Sequence, residues 1–185
     1  MKFVRYRWAV VPAVVSIVLY AAGCSRGVSE KNVVRAQNEL REFKKELKSA
    51  LVTGLQNGPD KAITVCNVEA PNIAARHSDR GIEIGRTSHR LRNSANAPAD
   101  WVEPLLAEYV SGARTTYTAV RLENGRFGYV EAIRTEKVCL MCHGADIAPP
   151  IAERIAALYP DDEATGFEEG EFRGLFWITM PVDGD

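Results

Sequence analysis

Neither sign of charge is in excess in this chain. Twenty-three lysines and arginines face 24 aspartates and glutamates, for a net charge of −1. There is no basic surplus of the kind that carries nucleic-acid binders, so no nucleic-acid partner is expected. No segment repeats itself and no tract is of low complexity, which sets aside solenoids and biased tails. Cysteine and histidine are scarce, at four and three, and only one Cys-x-x-Cys pair occurs. A structural zinc site needs four ligands, usually from two such pairs, and the second pair is missing. A βαβ pattern is missing too, and with it the setting of a thioredoxin-like redox pair. What remains is 46% apolar and 25% charged over 185 residues. That is enough for one ordinary domain with a real core, plus a leader.

The leader is residues 1–23. Lys2, Arg5 and Arg7 precede an apolar, small-residue run from Trp8 to Gly23, with no acid among them. The run is too short for a comfortable membrane span, which needs ~20 residues. It ends in Ala-Ala-Gly immediately before Cys24, like a bacterial lipoprotein signal cut before a lipidated cysteine, although Ala21 stands where such signals favour leucine. The expected product begins at Cys24, is lipid-anchored on the periplasmic side of a bacterial membrane, and has a tether over 24–32. An uncleaved N-terminal anchor and simple secretion are the alternatives. Losing the three cations takes the net charge from −1 to −4.

Over 33–182 the periodicity predicts a single α+β domain. Val33, Ala36, Leu40, Phe43, Leu47 and Ala50 recur at helical spacing in a helix from Ser29 to about Gln56. That stripe either packs on its own domain or pairs two subunits, so a homo-oligomer is one expectation. A second helix is predicted from Asp60 to about His77, bent near Pro71. Ile82–Ser88 alternates as a strand, and Arg92–Pro98 is turn-rich. A third helix runs from about Ala99 to Val110. Asn124–Gly125 closes a hairpin between two alternating runs. A short helix near Pro149 ends at Pro160, and Phe172–Val182 is a last apolar strand. Helices first, then an antiparallel sheet with a helix inserted, make α+β.

Just after the hairpin stands Cys139-Leu140-Met141-Cys142-His143. Cys-x-x-Cys-His is the attachment motif of c-type haem: two thiols bond to the vinyl groups and the histidine lies under the iron. With this composition, chance produces it in roughly one chain per thousand. One covalent haem c is therefore the expected cofactor, with Cys139 and Cys142 holding it and His143 binding the metal. Export agrees, since c-type maturation is extracytoplasmic.

Cys66 is the leftover thiol. One reading makes it a small buried hydrophobe, the usual place of a free cysteine. The other makes it the second axial ligand, because a lone thiol in an exported protein lacks a disulfide partner. Met141, Met180, His77 and His89 are rivals. Met141 is barred by its place inside the attachment loop, Met180 reads as core, and His77 as solvated. His89 lies among Arg86, Arg90 and Arg92, which permits a neutral ligand. Arg86 and Arg92, with Arg90, are candidates for the haem propionates, although a solvated loop explains them equally. Trp101, Tyr109, Tyr117, Tyr129, Phe176 and Trp177 are candidate pocket walls. An electron-carrying cytochrome c of the ordinary kind has its motif near the mature N-terminus; here it follows most of the domain.

Four segments together resemble the Tll-type c-haem domain family: Ala62–Ala74, Gly85–Pro98, Val138–Gly144 and Tyr159–Gly174. The resemblance spans roughly Val33 to Val182. It implies a PAS-like antiparallel sheet with a long N-terminal helix and flanking helices. It also implies one covalent haem, with His143 and Cys66 as axial ligands. Ser94 departs from the family, where proline is common, and so does His89. Thiolate stabilises ferric iron, so a His/Cys haem should have a low potential. If the thiol leaves on reduction, a diatomic gas could enter. The expected function is thus a membrane-tethered redox or gas sensor, not an enzyme, acting through an unidentified signalling or redox partner. The alternative is a low-potential periplasmic electron carrier.

Overall fold

The protein is described here from a computed structural model, which covers residues 28–182. The signal segment 1–23 and Cys24 lie outside them. Helix α1, Glu30–Gln56, starts within the expected tether, with Ser29 at its N-cap position. The Ser29 side chain makes no capping bond; its backbone carbonyl accepts from Asn32 and Val33 instead.

The second helical stretch runs from Pro59 to His77, and near Pro71, where a bend was expected, its regularity breaks. It comprises α2 (Pro59–Thr64), a π-helical turn at Val65–Glu69, and α3 (Ala70–His77). Pro71 offers no N–H to the preceding turn, so the irregularity falls before the proline, over the carbonyls it cannot serve. Cys66 sits inside that π-turn.

Strands β1 (Glu83–Thr87), β2 (Tyr117–Arg121), β3 (Phe127–Arg134) and β4 (Phe172–Met180) form one antiparallel sheet in the order β1-β4-β3-β2. The expected α+β class is observed. Between the strands lie α4 (Glu103–Val110), α5 (Leu140–His143) and α6 (Pro149–Leu158). The third helix is shorter than expected because Pro104 occupies its first turn, and the residues before it form turns rather than helix. The hairpin closes through Leu122–Arg126, with Gly125 alone at positive φ (79°).

The sheet is covered on both faces. Ala36, Leu40 and Phe43 of α1 and Ile73 of α3 pack on Ile84, Tyr129 and Ile178. The α1 stripe therefore lies on the domain's own sheet. Burying a side chain such as Leu40 or Phe43 contributes about 1.5–3 kcal/mol. Across the sheet, Val102, Leu105, Leu106 and Tyr109 pack on Val130 and Leu175. A third cluster, Ile63, Ile151, Ile155 and Tyr159, joins α2 to α6 beside Cys142. Among the described residues, no helix is long and apolar enough to cross a membrane.

One irregularity positions the site. The β3–β4 register shifts between Ile133, opposite Gly174, and Arg134, opposite Phe172. Arg173 is left without a cross-strand partner. Such bulges re-aim a side chain, and here the re-aimed group is the Arg173 guanidinium. Gly174 permits it with φ of 156°, and a Cβ there would stand 2.1 Å from the Thr87 carbonyl oxygen. Gly174→Ala should lower stability by on the order of 3 kcal/mol, from backbone strain plus overlap, as read by denaturant unfolding.

Candidate cofactor site

A cavity opens between the end of α1, the α2–α3 rod, the sheet edge at β1 and β4, and the cysteine motif. Cys66, Cys139, Cys142, His143, Arg86 and Arg92 all line it. These six include every site residue read from the sequence except Cys24. The space measures about 1150 Å³ with its open mouth included.

The other proposed axial ligands lie elsewhere. Met180 is fully buried in the core. Met141 is 44% exposed. His77 is half-buried, its Nε2 2.8 Å from Glu46 Oε2 and its ring edge-on to Phe43. His89 stacks on Phe172 and meets Phe167 edge-on. Of these five candidates, Cys66 alone shares the cavity with His143.

His143 is held by groups that the motif itself does not contain. Its Nδ1 donates to the Ala164 carbonyl at 2.7 Å. Arg173 Nη2 lies 3.3 Å from the same nitrogen, but a nitrogen that donates its proton to Ala164 has no lone pair to accept with. The Ala164 bond therefore sets the tautomer and leaves Nε2 as the free lone pair. A backbone carbonyl on the far ring nitrogen is the usual second support of a metal-binding histidine. Burial first, then the Arg173 and Arg92 charges, pushes the His143 pKa down to about 2, so the imidazole is neutral at physiological pH.

Arg92 organises the loop carrying Ala164. Its Nε and Nη2 donate to the two Asp162 carboxylate oxygens at 3.1 and 2.9 Å, and Nη2 also reaches the Cys142 carbonyl at 2.6 Å. Both side chains are nearly buried, at 10% and 9% exposure. Asp162 Oδ1 accepts from the Ala164 backbone N–H. Phe167 and Gly166 donate backbone bonds to the His143 and Gly144 carbonyls, closing the loop over the motif. Arg92 is thus engaged with protein acceptors rather than directed at a ligand.

Burial pushes the Cys142 thiol up, and it pushes the Tyr159 hydroxyl up, with the nearby Cys66 as the next cause. Of the six aromatic candidates, Phe176 alone lines the cavity. Trp101 and Trp177 meet edge-on in the core across the sheet, Tyr109 and Tyr129 are buried, and Tyr117 is half exposed on Tyr129. The reading missed Tyr159, Leu51, Leu55, Ile133 and Arg173 as lining residues. The Tyr-Pro and Arg-Gly segments that carried the family resemblance contain Tyr159 and Arg173.

These residues fit a flat macrocycle better than a bare ion. Among the described residues, no three His, Cys, Asp or Glu side chains converge closely enough to chelate one ion. The sulfur and nitrogen donors are spread around a wide, mostly apolar cavity.

The family model for Tll0287-like proteins matches residues 26–181. The chain belongs to the Tll0287-like family. Among solved structures it is similar to one titled the crystal structure of the cyanobacterial heme-protein Tll0287, with a TM-score of 0.62 and 22% identity. The match covers 85% of this chain and 99% of that one. No curated protein matches. The family match accounts for the shared fold, and the resemblance read from the four segments is borne out.

Asp162→Asn should destabilise the protein by on the order of 3 kcal/mol, because it leaves the Arg92 charge nearly buried without its carboxylate. Chemical denaturation measures it; a loss below about 0.5 kcal/mol would show that the pair does not hold the loop.

Proposed function

We propose that the protein is an exported, membrane-tethered monohaem c-type cytochrome acting as a redox or diatomic-gas sensor. Cys139 and Cys142 would attach the macrocycle, and His143 and Cys66 would supply ligands to its iron. The observation that carries the reading is that Cys66, alone among the candidate sixth ligands, lines the cavity into which the attachment motif faces. The solved family member, titled a heme-protein, supports it. When bound, the haem supplies a one-electron iron couple and, with one axial position free, a seat for a small gas.

The chain's own residues treat the two sides unequally. His143 is fixed by Ala164, which the Arg92–Asp162 pair positions. Cys66 stands on a π-turn, a helical irregularity frequent at functional sites and able to change its hydrogen-bonding register. Its rod presses on α1, where a Cβ at Gly54 would come within 2.9 Å of the Ala62 Cα. Lys48 of α1 in turn binds Glu136 Oε2 at 2.9 Å, just before the motif. Holding or releasing Cys66 therefore shifts a rod packed against the long helix, a two-state element of the kind a sensor requires. With Cys66 on the iron no position is open for turnover, so we read the protein as a non-enzyme. The rigid histidine side favours one second reading, a low-potential electron carrier whose ligands stay the same in both oxidation states.

Optical and electron-paramagnetic spectra of the wild type and Cys66→Ala test the ligation. Loss of the low-spin thiolate signal in the variant is expected; identical spectra would remove Cys66 from the iron. A ligand change on reduction of the wild type is expected of the sensor, and unaltered ligation would favour the carrier. The anchor is tested separately. Cys24→Ser should move the protein from the membrane to the soluble fraction, and no change in fractionation would refute lipidation there.

A further inference from the structure

Four guanidinium groups line the cavity: Arg86, Arg90, Arg92 and Arg173. Two have carboxylate partners. Arg92 holds Asp162, and Arg90 Nη2 reaches Glu171 Oε1 at 3.0 Å while its guanidinium carbon lies 3.5 Å over the Phe167 ring. The other two have none. Among the described residues, no carboxylate lies within ion-pair distance of Arg86 or Arg173.

Arg173 is nonetheless built into place. The bulge in β4 re-aims it, its Nη1 donates to Ser88 Oγ at 2.9 Å, and its guanidinium carbon lies 4.7 Å over Phe167. Arg86 projects from β1, paired in register with Phe176, and among the described residues its side chain makes no hydrogen bond. An arginine cannot shed its charge at pH 7, and a cation partly withdrawn from water without an anion is costly. A fold that orients such a cation with a hydroxyl and a ring, and supplies no anion, leaves the anion to come with the ligand.

We propose that Arg86 and Arg173, not Arg92, form a two-guanidinium clamp for carboxylate groups inside the cavity, and that the carboxylates are the two propionates of the haem. The clamp rests on the haem reading above. The same fork chemistry would take a free oxyanion, and the experiment separates the two sources.

Resonance Raman spectra of the haem-loaded full chain read the propionate-bending bands directly. These bands should shift in Arg86→Gln and in Arg173→Gln and stay put in Arg90→Gln. The midpoint potential should fall in the two clamp variants, because removing a nearby cation favours ferric iron, and the fall should shrink at high salt. Arg173→Lys keeps the charge without the fork, so it should shift the bands while largely retaining the potential. Among the described residues the Arg86 side chain makes no hydrogen bond, so Arg86→Gln remains informative even if Arg173→Gln misfolds. Unchanged bands in both glutamine variants, with normal absorption spectra, would overturn the clamp alone. So would bands unmoved by mutation alongside an inorganic-phosphate response of the wild type that the variants lose, since the anion is then free. Purified protein without haem absorption would overturn the haem reading, and the clamp with it.

Discussion

The arrangement of this protein depends on one nearly buried ion pair, Arg92 with Asp162. Two segments 70 residues apart meet there, and the cysteine motif is held between them through the Cys142 carbonyl. Removing both charges from water costs about as much as their attraction returns, so such a pair adds little to net stability. What it adds is position. Asp162 fixes the Ala164 amide, the Ala164 carbonyl fixes the His143 tautomer, and the lone pair of Nε2 is thereby presented to the cavity. The histidine is oriented by electrostatics acting three residues removed from its own ring.

Most of the fold could be read from the chain because its signals are local. The α1 stripe, the Asn124–Gly125 hairpin and the apolar last strand are each decided by neighbours within a few residues, and each appears where expected. The Cys-x-x-Cys-His motif was equally conspicuous, being compact and chemically specific. The carboxylate partner of Arg92 was not legible, for the opposite reason. Its cluster with Arg86 and Arg90 suggested a common target, whereas its partner Asp162 lies in an acidic loop that looked merely solvated. Arg173 left no signal of its own, because a register shift between two strands aims it, and register is a property of the pair. The π-turn at Cys66 was anticipated only as a bend at Pro71; the proline marks where the ladder fails, and the failure is taken up by the turn before it.

The two walls of the cavity are built to different standards of rigidity. On the histidine side, backbone bonds from Gly166 and Phe167, the Arg92–Asp162 pair and the Ala164 carbonyl converge within a few residues. On the cysteine side, among the described residues no hydrogen bond to the Cys66 thiol accompanies the π-turn, and Ile63, Tyr159 and the end of α1 line the same cavity. As the proposed ligands of one iron, a fixed His143 and an adaptable Cys66 would suit a switch more than a wire. The Lys48–Glu136 pair ties the long helix to the segment just ahead of Cys139. It is exposed, so its contribution lies within the ~0–1 kcal/mol of surface pairs. Transmission between rod and helix must therefore rest on the close packing at Gly54.

Electrostatics then sets two tendencies against each other. A thiolate donor favours ferric iron and a low potential. The cavity wall opposes it with guanidinium groups, two of them lacking a carboxylate from the chain, beside a neutral imidazole. At an effective dielectric of ~20, one unit charge some 8 Å from another is worth about 2 kcal/mol. Unneutralised, two such cations would offset a large part of the thiolate's preference. Neutralised by carboxylates, they would leave the thiolate dominant. With a haem held by His143 and Cys66 as proposed, the potential would depend on whether Arg86 and Arg173 meet their anions as well as on the axial pair. A cytochrome of this design would respond to anything that loosens that clamp, even with both axial ligands in place.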